Sequence, residues 1–499
     1  MSGNAGLTGD AALARDAQRS LRIAGKLGVS LLGTWVIALG VRVILPRVLG
    51  PVQFGHFQFA DAFTTTVFVF ATLGLDTYIR KEVPLRPEHA SEFFGGALLT
   101  SLALNVAIMT IAVIALQAAG KSAEVVQLVV TLGVAQILSN ANALLVAMLH
   151  ARGTVNELSI VNLRAKLLWA GGIVGALLLG YGTLGAGAAV VVTEVFRSGV
   201  LIVLARRHVA LRLRVDGRAT WVALCGGLPF YVTGMAQTIY ARVDTSIMSF
   251  LAPEREVGWY GAASTLGGVS LMLSPVIFWV LLPLAARAAT RTSDDVMLLA
   301  RRANEFVLAI AFPTALFFYL LADEIVILLF GQSYAPSVAA LKILAPTFIL
   351  TYAAIIYSSI LIRLERGWAV TAVSLGGMII SPTLNVILVP KFLALYGDGG
   401  AGRAAATVLL VTEAYTVIAM LILLGARAVD RRLLRMVGAS IIAAVIAVAA
   451  DGRLLSLGVM GSVLALGLYV ILVLASGAVD IRGGISLLRS LRRPQPAAD

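Results

Sequence analysis

Residues 404–424 read AAATVLLVTEAYTVIAMLILL, an apolar run that contains a single charged residue, Glu413. A run of this length is long enough to cross a bilayer hydrocarbon core of roughly 30 Å as a helix. Similar runs recur along almost the whole chain, in which 59% of the 499 residues are hydrophobic and 13% are charged. This composition supplies too few polar side chains to cover a soluble globule. Because the alternating pattern of barrel strands is absent, the sequence predicts an all-α, polytopic membrane protein.

Fourteen transmembrane segments are predicted from the apolar runs. They are residues 25–45, 57–78, 93–116, 125–149, 160–181, 186–204, 222–251, 257–284, 306–330, 338–362, 369–389, 404–424, 437–450 and 454–475. Most of the 39 Lys and Arg residues fall in the tails and loops that this assignment places in the cytoplasm, and few fall outside. Basic residues of short loops stay cytoplasmic, so both termini are predicted to be cytoplasmic. The first apolar run is interpreted as an uncleaved helix, because it is longer than a signal-peptide core and no small-residue cleavage site follows it.

The sequence repeats itself at the level of short motifs, which recur in the same order in two halves. The pairs are LGP at 49–51 with LAP at 251–253, FGHF at 54–57 with VGWY at 257–260, RG at 152–153 with RG at 366–367, and VTEVF at 192–196 with VTEAY at 411–415. Four pairs in register define two six-helix halves, and an even number of helices gives both halves the same orientation. Parallel repeats of this kind are typical of carriers that rock two lobes around a site.

The repeat sets the predicted domain organisation. The segments are a cytoplasmic N-terminal tail (1–24), an N-lobe of six helices (25–210), a C-lobe of six helices (217–428), a final helix pair (433–476) and a basic cytoplasmic C-terminal tail (477–499). The single cysteine, Cys225, excludes an intrachain disulfide, and the four histidines lack metal-ligand spacing. The sequence therefore predicts no cofactor and no metal. The net charge of +13 is not interpreted as a nucleic-acid site, because the basic residues follow the membrane topology.

The motifs together resemble a known family. They are Leu49-Gly50-Pro51 with Phe54-Gly55 and Phe57, Arg242 to Asp244 with Gly258, Tyr260, Ala262 and Ala263, Pro283, and Phe330-Gly331-Gln332-Ser333-Tyr334 running into Ala339, Leu341, Ile343 and Leu344. On these residues the chain resembles the polysaccharide-export branch of the multidrug, oligosaccharidyl-lipid and polysaccharide exporter superfamily, which contains the O-antigen and capsule flippases.

This resemblance implies a V-shaped pair of six-helix lobes that works by alternating access in a bacterial inner membrane. The implied cargo is a polyprenyl-pyrophosphate-linked oligosaccharide for lipopolysaccharide, O-antigen or exopolysaccharide biosynthesis, moved from the cytoplasmic to the outer leaflet. Membrane lipids and other polysaccharide assembly proteins are the implied partners. Two activities of the same superfamily stay open as alternatives: export of a lipid-linked peptidoglycan precursor, and multidrug or cation antiport. A membrane enzyme is disfavoured because its catalytic residues generally require a sizeable outer loop, and the outer loops here are short.

Ionisable residues inside the predicted spans are the candidate substrate site, because burying a charge at mid-bilayer costs roughly 2.5 to 3.5 kcal/mol and normally serves a function. Arg42, Arg164 and Arg242 are expected to face a hydrated cavity, where a guanidinium fork binds pyrophosphate. The competing interpretation is that Arg42 snorkels to the membrane surface and that Arg164 anchors its helix. Asp61 is expected to line the outer cavity. Asp244, which aligns with Arg42 in the repeat, is expected to bind substrate or to gate the two lobes.

The remaining charged residues of the spans receive structural predictions. Glu194 and Arg197 stand three apart on one helix and are expected to pair. Glu194 recurs in the second half as Glu413 without an equivalent arginine, which favours a structural polar role for both glutamates. Lys166 is interpreted mainly as a cytoplasmic anchor and Lys342 as a snorkelling residue.

Overall fold

A computed structural model of the chain describes residues 5–86, 90–208, 215–270, 293–425 and 428–477. All regular secondary structure within these ranges is helical, so the all-α prediction is confirmed. Three sequence predictions fall partly or wholly outside the described residues: the end of the eighth span with Pro283, the first four residues of the N-terminal tail, and most of the C-terminal tail.

Sixteen α-helices are described. They are α1 Ala5–Phe68, α2 Leu75–Glu82, α3 Ala90–Ala118, α4 Ala123–Ala151, α5 Val155–Leu178, α6 Gly182–His208, α7 Gly217–Leu251, α8 Glu254–Ser270, α9 Ser293–Leu320, α10 Ala322–Phe330, α11 Ser337–Leu344, α12 Thr347–Arg363, α13 Gly367–Tyr396, α14 Gly400–Leu424, α15 Arg431–Arg453 and α16 Val459–Ala475. Single turns of 3₁₀-helix lie at Val69–Ala71, Gln332–Tyr334 and Leu455–Leu457.

Nine of the described helices or helix runs are long and apolar enough to cross a membrane, and the number rises to eleven if each of two bent pairs is one span. The chain is thus a multi-pass membrane protein, but the count of fourteen is not confirmed. The difference has identifiable sources. The first two predicted spans fall largely within one helical run, Gly33–Ala71, and α16 is a shorter apolar helix. The eighth predicted span continues beyond the described residues.

The Leu49-Gly50-Pro51 motif breaks α1. Gly50 has φ 73° and ψ 172°, which is not helical, while the residues on both sides are helical. A side chain at this φ is strained, whereas glycine adopts it freely. Pro51 then begins the next helical segment, where its missing N–H costs no hydrogen bond. The motif therefore separates the two predicted spans by a change of direction at one glycine.

A second break follows α1 at residues 69–74, within the predicted second span. Leu73 and Gly74 both have positive φ, 56° and 64°. Side chains satisfy the carbonyl oxygens that the break releases: Asn140 donates to Phe68 O (3.4 Å) and Ser101 donates to Ala71 O (3.0 Å). An unsatisfied carbonyl in hydrocarbon costs several kcal/mol, roughly, so these donors make the break tolerable inside the membrane.

The chain divides into two compact units. Unit 1 contains Met1–Leu49 and Phe63–Met235, and unit 2 contains Gly50–Ala62 and Ala236–Asp499. In unit 1, a core cluster joins α2, α3 and α4 through Ile79, Phe93 and Met148. In unit 2, the last two helices pack on α9 through a second cluster that includes Tyr469. The lobes 25–210 and 217–428 were defined by the internal repeat and stay a prediction.

Candidate transport site

Two cations of unit 1 lie near one another within apolar helices. Lys166 on α5 places its Nζ 3.7 Å from the ring centroid of Trp169, one turn further along the same helix. Arg42 on α1 is close enough to Lys166 for their like charges to repel. The side chain of Lys166 is half-buried, and those of Arg42 and Arg164 are exposed from the described chain. Arg42 and Lys166 are thus like charges that act on each other within unit 1, whereas Arg164 is an exposed cation of the same helix as Lys166.

A polar cluster fastens α6 to α4 in unit 1. The Glu194 carboxylate accepts a hydrogen bond from Asn142 Nδ2 at 2.8 Å and lies 3.4 Å from Arg197 Nη1. Ser198 Oγ donates to Asn142 Oδ1 at 2.9 Å. Hydrogen bonds between polar side chains of neighbouring helices stabilise packing in membranes by about 0.6 kcal/mol each. Glu194 is therefore engaged within the unit, in a position that fits a structural role.

An ion pair joins Asp61 on α1 to Arg242 on α7 in unit 2. Arg242 Nη1 lies 3.5 Å from Asp61 Oδ2, at the long end for a hydrogen bond. Both side chains are exposed, with a relative exposure of 43% for Arg242 and 41% for Asp61. Exposed ion pairs of this kind contribute about 0 to 1 kcal/mol. The pair is therefore weak enough for Arg242 to exchange Asp61 for another anion.

Asp244 has a different environment, although it is only two residues from Arg242. Its side chain is 7% exposed and accepts a short hydrogen bond from the Tyr260 hydroxyl on α8. The Thr245 N–H also donates to it at 2.7 Å. A buried carboxylate is costly unless its oxygens are hydrogen-bonded, and here both are. Asp244 thus connects α7 to α8 inside unit 2.

Glu413 is another buried carboxylate of unit 2. It is 6% exposed, and its Oε1 accepts a hydrogen bond of 2.7 Å from the Tyr240 hydroxyl. The contact ties α14 to α7. Glu194 and Glu413, which correspond in the sequence repeat, therefore each accept a hydrogen bond from a polar side chain of another helix in their own unit.

The structure thus brings some predicted residues together and separates others. Asp61 meets Arg242, whereas Asp244 meets Tyr260. Sequence analysis assigned no contact to Tyr240 or Tyr260, the two hydroxyl donors.

The chain was compared with known families and proteins. A family model described as polysaccharide biosynthesis protein matches residues 44–339. No curated protein matches the sequence. Solved structures, in contrast, match over most of the chain.

A structure of the lipid II flippase MurJ in an inward closed conformation is similar with a TM-score of 0.67 and 13% identity, covering 94% of this chain and 99% of that one. An inward-facing multidrug resistance MATE transporter of the MOP superfamily is similar with a TM-score of 0.59 and 16% identity, covering 78% and 92%. The MATE multidrug transporter DinF-BH gives 0.54 and 20% identity, covering 80% and 94%. At these identities the comparison establishes a shared fold.

Proposed function

The chain belongs to the polysaccharide biosynthesis protein family, and from this premise we propose that it flips a polyprenyl-pyrophosphate-linked oligosaccharide from the cytoplasmic to the outer leaflet by alternating access. The family and the fold are those of transporters and flippases rather than enzymes. The proposed location is a bacterial inner membrane with both termini cytoplasmic. The proposed partners are membrane lipids and other polysaccharide assembly proteins.

The observation that carries the proposal is the family match over residues 44–339, and Arg42 and Lys166 of unit 1 are the residues proposed to bind the cargo. Each cation is costly in an apolar segment, and placing them near each other adds repulsion to that cost. An anionic ligand removes both penalties when it binds. The pyrophosphate of a lipid-linked sugar carries the charge that fits, while its prenyl chain stays in lipid.

Arg242 supplies the corresponding cation of unit 2. In the proposed cycle it leaves Asp61 to bind a phosphate oxygen and returns to Asp61 when the cargo departs. Arginine suits this exchange, because its planar fork makes two parallel hydrogen bonds to phosphate or to carboxylate. Asp61 would then keep Arg242 oriented between transport events. Asp244, held by Tyr260, is proposed as a fixed support of α7.

The membrane potential favours the proposed direction. An inside-negative potential drives a net negative cargo outward by roughly 2.3 kcal/mol per charge per 100 mV. Outward movement of a pyrophosphate-linked sugar is therefore favourable even without a coupled ion gradient.

Purified protein in proteoliposomes tests the function directly. Fluorescent polyprenyl-pyrophosphate-oligosaccharide is incorporated, and a membrane-impermeant quencher reports its transfer between leaflets. Wild-type protein is expected to accelerate transfer, while Arg42→Ala and Lys166→Ala are expected to reduce the rate at least about tenfold, the effect of losing roughly one charge-assisted phosphate contact. Arg206→Ala removes an exposed arginine from the end of α6 and serves as the matched control.

Three outcomes would contradict the proposal. Transfer of a lipid-linked peptidoglycan precursor, but not of other lipid-linked oligosaccharides, would assign the chain to precursor export. Transport of cationic drugs in exchange for an ion, with no lipid transfer, would assign it to antiport. Normal lipid transfer by both variants would show that Arg42 and Lys166 anchor their helices and do not bind the cargo.

A further inference from the structure

One end of unit 2 is exceptionally rich in arginine. Seven arginines and no lysine occur in residues 301–305, 363–368 and 430–435, together with three carboxylates. The arginines are Arg301, Arg302, Arg363, Arg366, Arg431, Arg432 and Arg435. Two candidate membrane spans, Ser337–Arg363 and Gly400–Leu424, end here or close by, and two others, Gly367–Tyr396 and Arg431–Arg453, begin here. The arginines therefore lie where membrane helices meet the lipid headgroups.

A shared carboxylate organises part of this group. Glu305 on α9 is 11% exposed, and its Oε2 lies 3.1 Å from Arg302 Nη1 and 3.2 Å from Arg432 Nε. The contact joins the start of α15 to α9. Arg366 Nη1 donates to the Leu423 carbonyl at 2.9 Å, in the last turn of α14. Ion pairs and a capping bond thus fix three of the arginines to the helix ends.

An apolar cluster beneath the arginines fixes the positions of these helix ends. Val307 of α9, Leu361 of α12, Leu424 of α14 and Ala428 belong to one buried cluster, and Val429 packs against it. Each of these residues is within a few positions of an arginine of the group. Because the backbone is held by packing, the arginine side chains do not need to assemble when a ligand arrives.

Five arginines of the group are exposed, and two of them, Arg302 and Arg366, make the contacts described above. The other three are Arg363, Arg431 and Arg435. The carboxylate of Asp430 caps the N-terminus of α15, where it accepts a hydrogen bond of 2.7 Å from the Leu433 N–H. Trp368 is 67% exposed in the first turn of α13, two residues after Arg366. Exposed tryptophan at a helix end is typical of the lipid–water interface.

We propose that this arginine-rich end of unit 2 binds the phosphate headgroup of an anionic membrane phospholipid. The positive-inside tendency explains basic residues at this end, but lysine would satisfy it equally well. The arginines of this group suit phosphate, since the guanidinium is weakly hydrated and binds two oxygens at once. Basic sites between membrane helices bind lipid headgroups in this way. The site is separate from the proposed cargo residues and does not depend on the identity of the cargo.

Native mass spectrometry of the full chain in detergent tests this site. Phosphatidylglycerol is titrated into the protein, with phosphatidylcholine as the neutral reference. A triple variant, Arg363→Gln, Arg431→Gln and Arg435→Gln, removes exposed charges and leaves Glu305, Arg302 and Arg432 in place. Phosphatidylglycerol affinity is expected to fall roughly fivefold for each arginine and on the order of a hundredfold for all three. The corresponding Arg→Lys triple variant is expected to bind with intermediate affinity, because charge remains and the fork is lost.

A matched control removes the same charge elsewhere. Arg152, Arg206 and Arg207 are exposed arginines of unit 1, and their triple Gln variant is expected to bind phosphatidylglycerol as wild type does. An equal loss of affinity in this control would show general charge attraction and overturn the proposal. Unchanged binding by the Arg363, Arg431 and Arg435 triple variant would also overturn it. Glycerol phosphate binding as tightly as the lipid would make this a soluble-anion site. Thermal unfolding checks that each variant is folded, and the three single variants replace any triple that is not.

Discussion

At the scale of single residues, two of the buried carboxylates of unit 2, Asp244 and Glu413, accept hydrogen bonds from tyrosine hydroxyls of other helices. Tyr260 donates to Asp244, and Tyr240 donates to Glu413. Neither pairing is visible in the sequence, because Tyr240 and Glu413 are 173 residues apart. The sequence did identify the carboxylates as polar residues in apolar helices. What it could not supply was the partner, since partner choice depends on how helices pack.

Tyr260→Phe removes the hydroxyl and leaves a buried oxygen of Asp244 without that donor. The loss is expected to destabilise the protein by about 1 to 3 kcal/mol. Thermal unfolding of the detergent-solubilised protein measures it as a lower Tm. Tyr181→Phe is the control, because Tyr181 is mostly exposed and its hydroxyl is expected to matter little. Equal stability of the two variants would contradict the role assigned to the Tyr260 hydroxyl.

Arg42→Lys separates charge from geometry at the proposed pyrophosphate site. The lysine keeps the positive charge but loses the bidentate contact, so flipping is expected to recover only partly relative to Arg42→Ala. Surface polysaccharide in a complementation assay, with membrane protein level as the control, reports the difference. Full activity of Arg42→Lys would show that a point charge is sufficient.

At the scale of elements, the helix ends are set by a few backbone positions. The span 404–424 was predicted from composition, and α14 covers it as Gly400–Leu424. The start of this helix is held by Glu256 of α8, whose carboxylate accepts hydrogen bonds from the N–H groups of Gly399, Ala401 and Gly402. A carboxylate at a helix N-terminus also interacts favourably with the helix dipole. No local pattern indicates this cap, because Glu256 comes from a distant part of the chain.

Glu256→Ala leaves three buried N–H groups at the start of α14 without their acceptor. The expected loss of stability is about 1.5 to 3 kcal/mol or more, as for hydrogen bonds to a charged group. Glu254→Ala, two residues earlier in the first turn of α8 and less buried than Glu256, is the control and is expected to unfold at nearly the wild-type Tm. If both variants unfold alike, the cap contributes nothing measurable.

Gly50→Ala tests the break in α1. A side chain at φ 73° is strained, at a cost of about 1 to 3 kcal/mol. Gly40→Ala, in the regular part of the same helix with open space around it, is expected to be neutral or slightly stabilising. Thermal unfolding of the two variants compares the same chemical change in two backbone conformations. A Gly50→Ala protein as stable as Gly40→Ala would mean that the turn tolerates alanine.

At the scale of the whole molecule, composition and the apolar runs were sufficient to predict an all-helical, multi-pass membrane protein. The exact number of spans was not, because the apolar run Gly33–Ala71 holds most of two predicted spans with only the break at Gly50 between them. The break at 69–74 was also missed, since residues 67–75 are mostly apolar and carry no turn signal stronger than Gly74. Such a break is stable because side chains of other helices donate hydrogen bonds to its carbonyl oxygens, and the local sequence does not show these partners.

The predicted topology places the connection between α13 and α14 outside the cell. Asp398 is an exposed residue of this connection, whereas neighbouring Gly399 is buried with φ 81°. Asp398→Cys, in a Cys225→Ser background, is expected to react with an impermeant thiol reagent in intact cells. Arg152→Cys, in the predicted cytoplasmic loop after α4, is expected to react only after permeabilisation. The reverse pattern would invert the topology.

The break after α1 also constrains how the protein is made. Its carbonyl oxygens at Phe68 and Ala71 are satisfied by Asn140 and Ser101, which follow them by 72 and 30 residues. Both donors come later in the chain than the break, Ser101 in α3 and Asn140 in α4. Open carbonyl oxygens are disfavoured in lipid, so the break becomes tolerable in the bilayer only when α3 and α4 lie beside it. The segment therefore reaches its final form only together with the two helices that follow it.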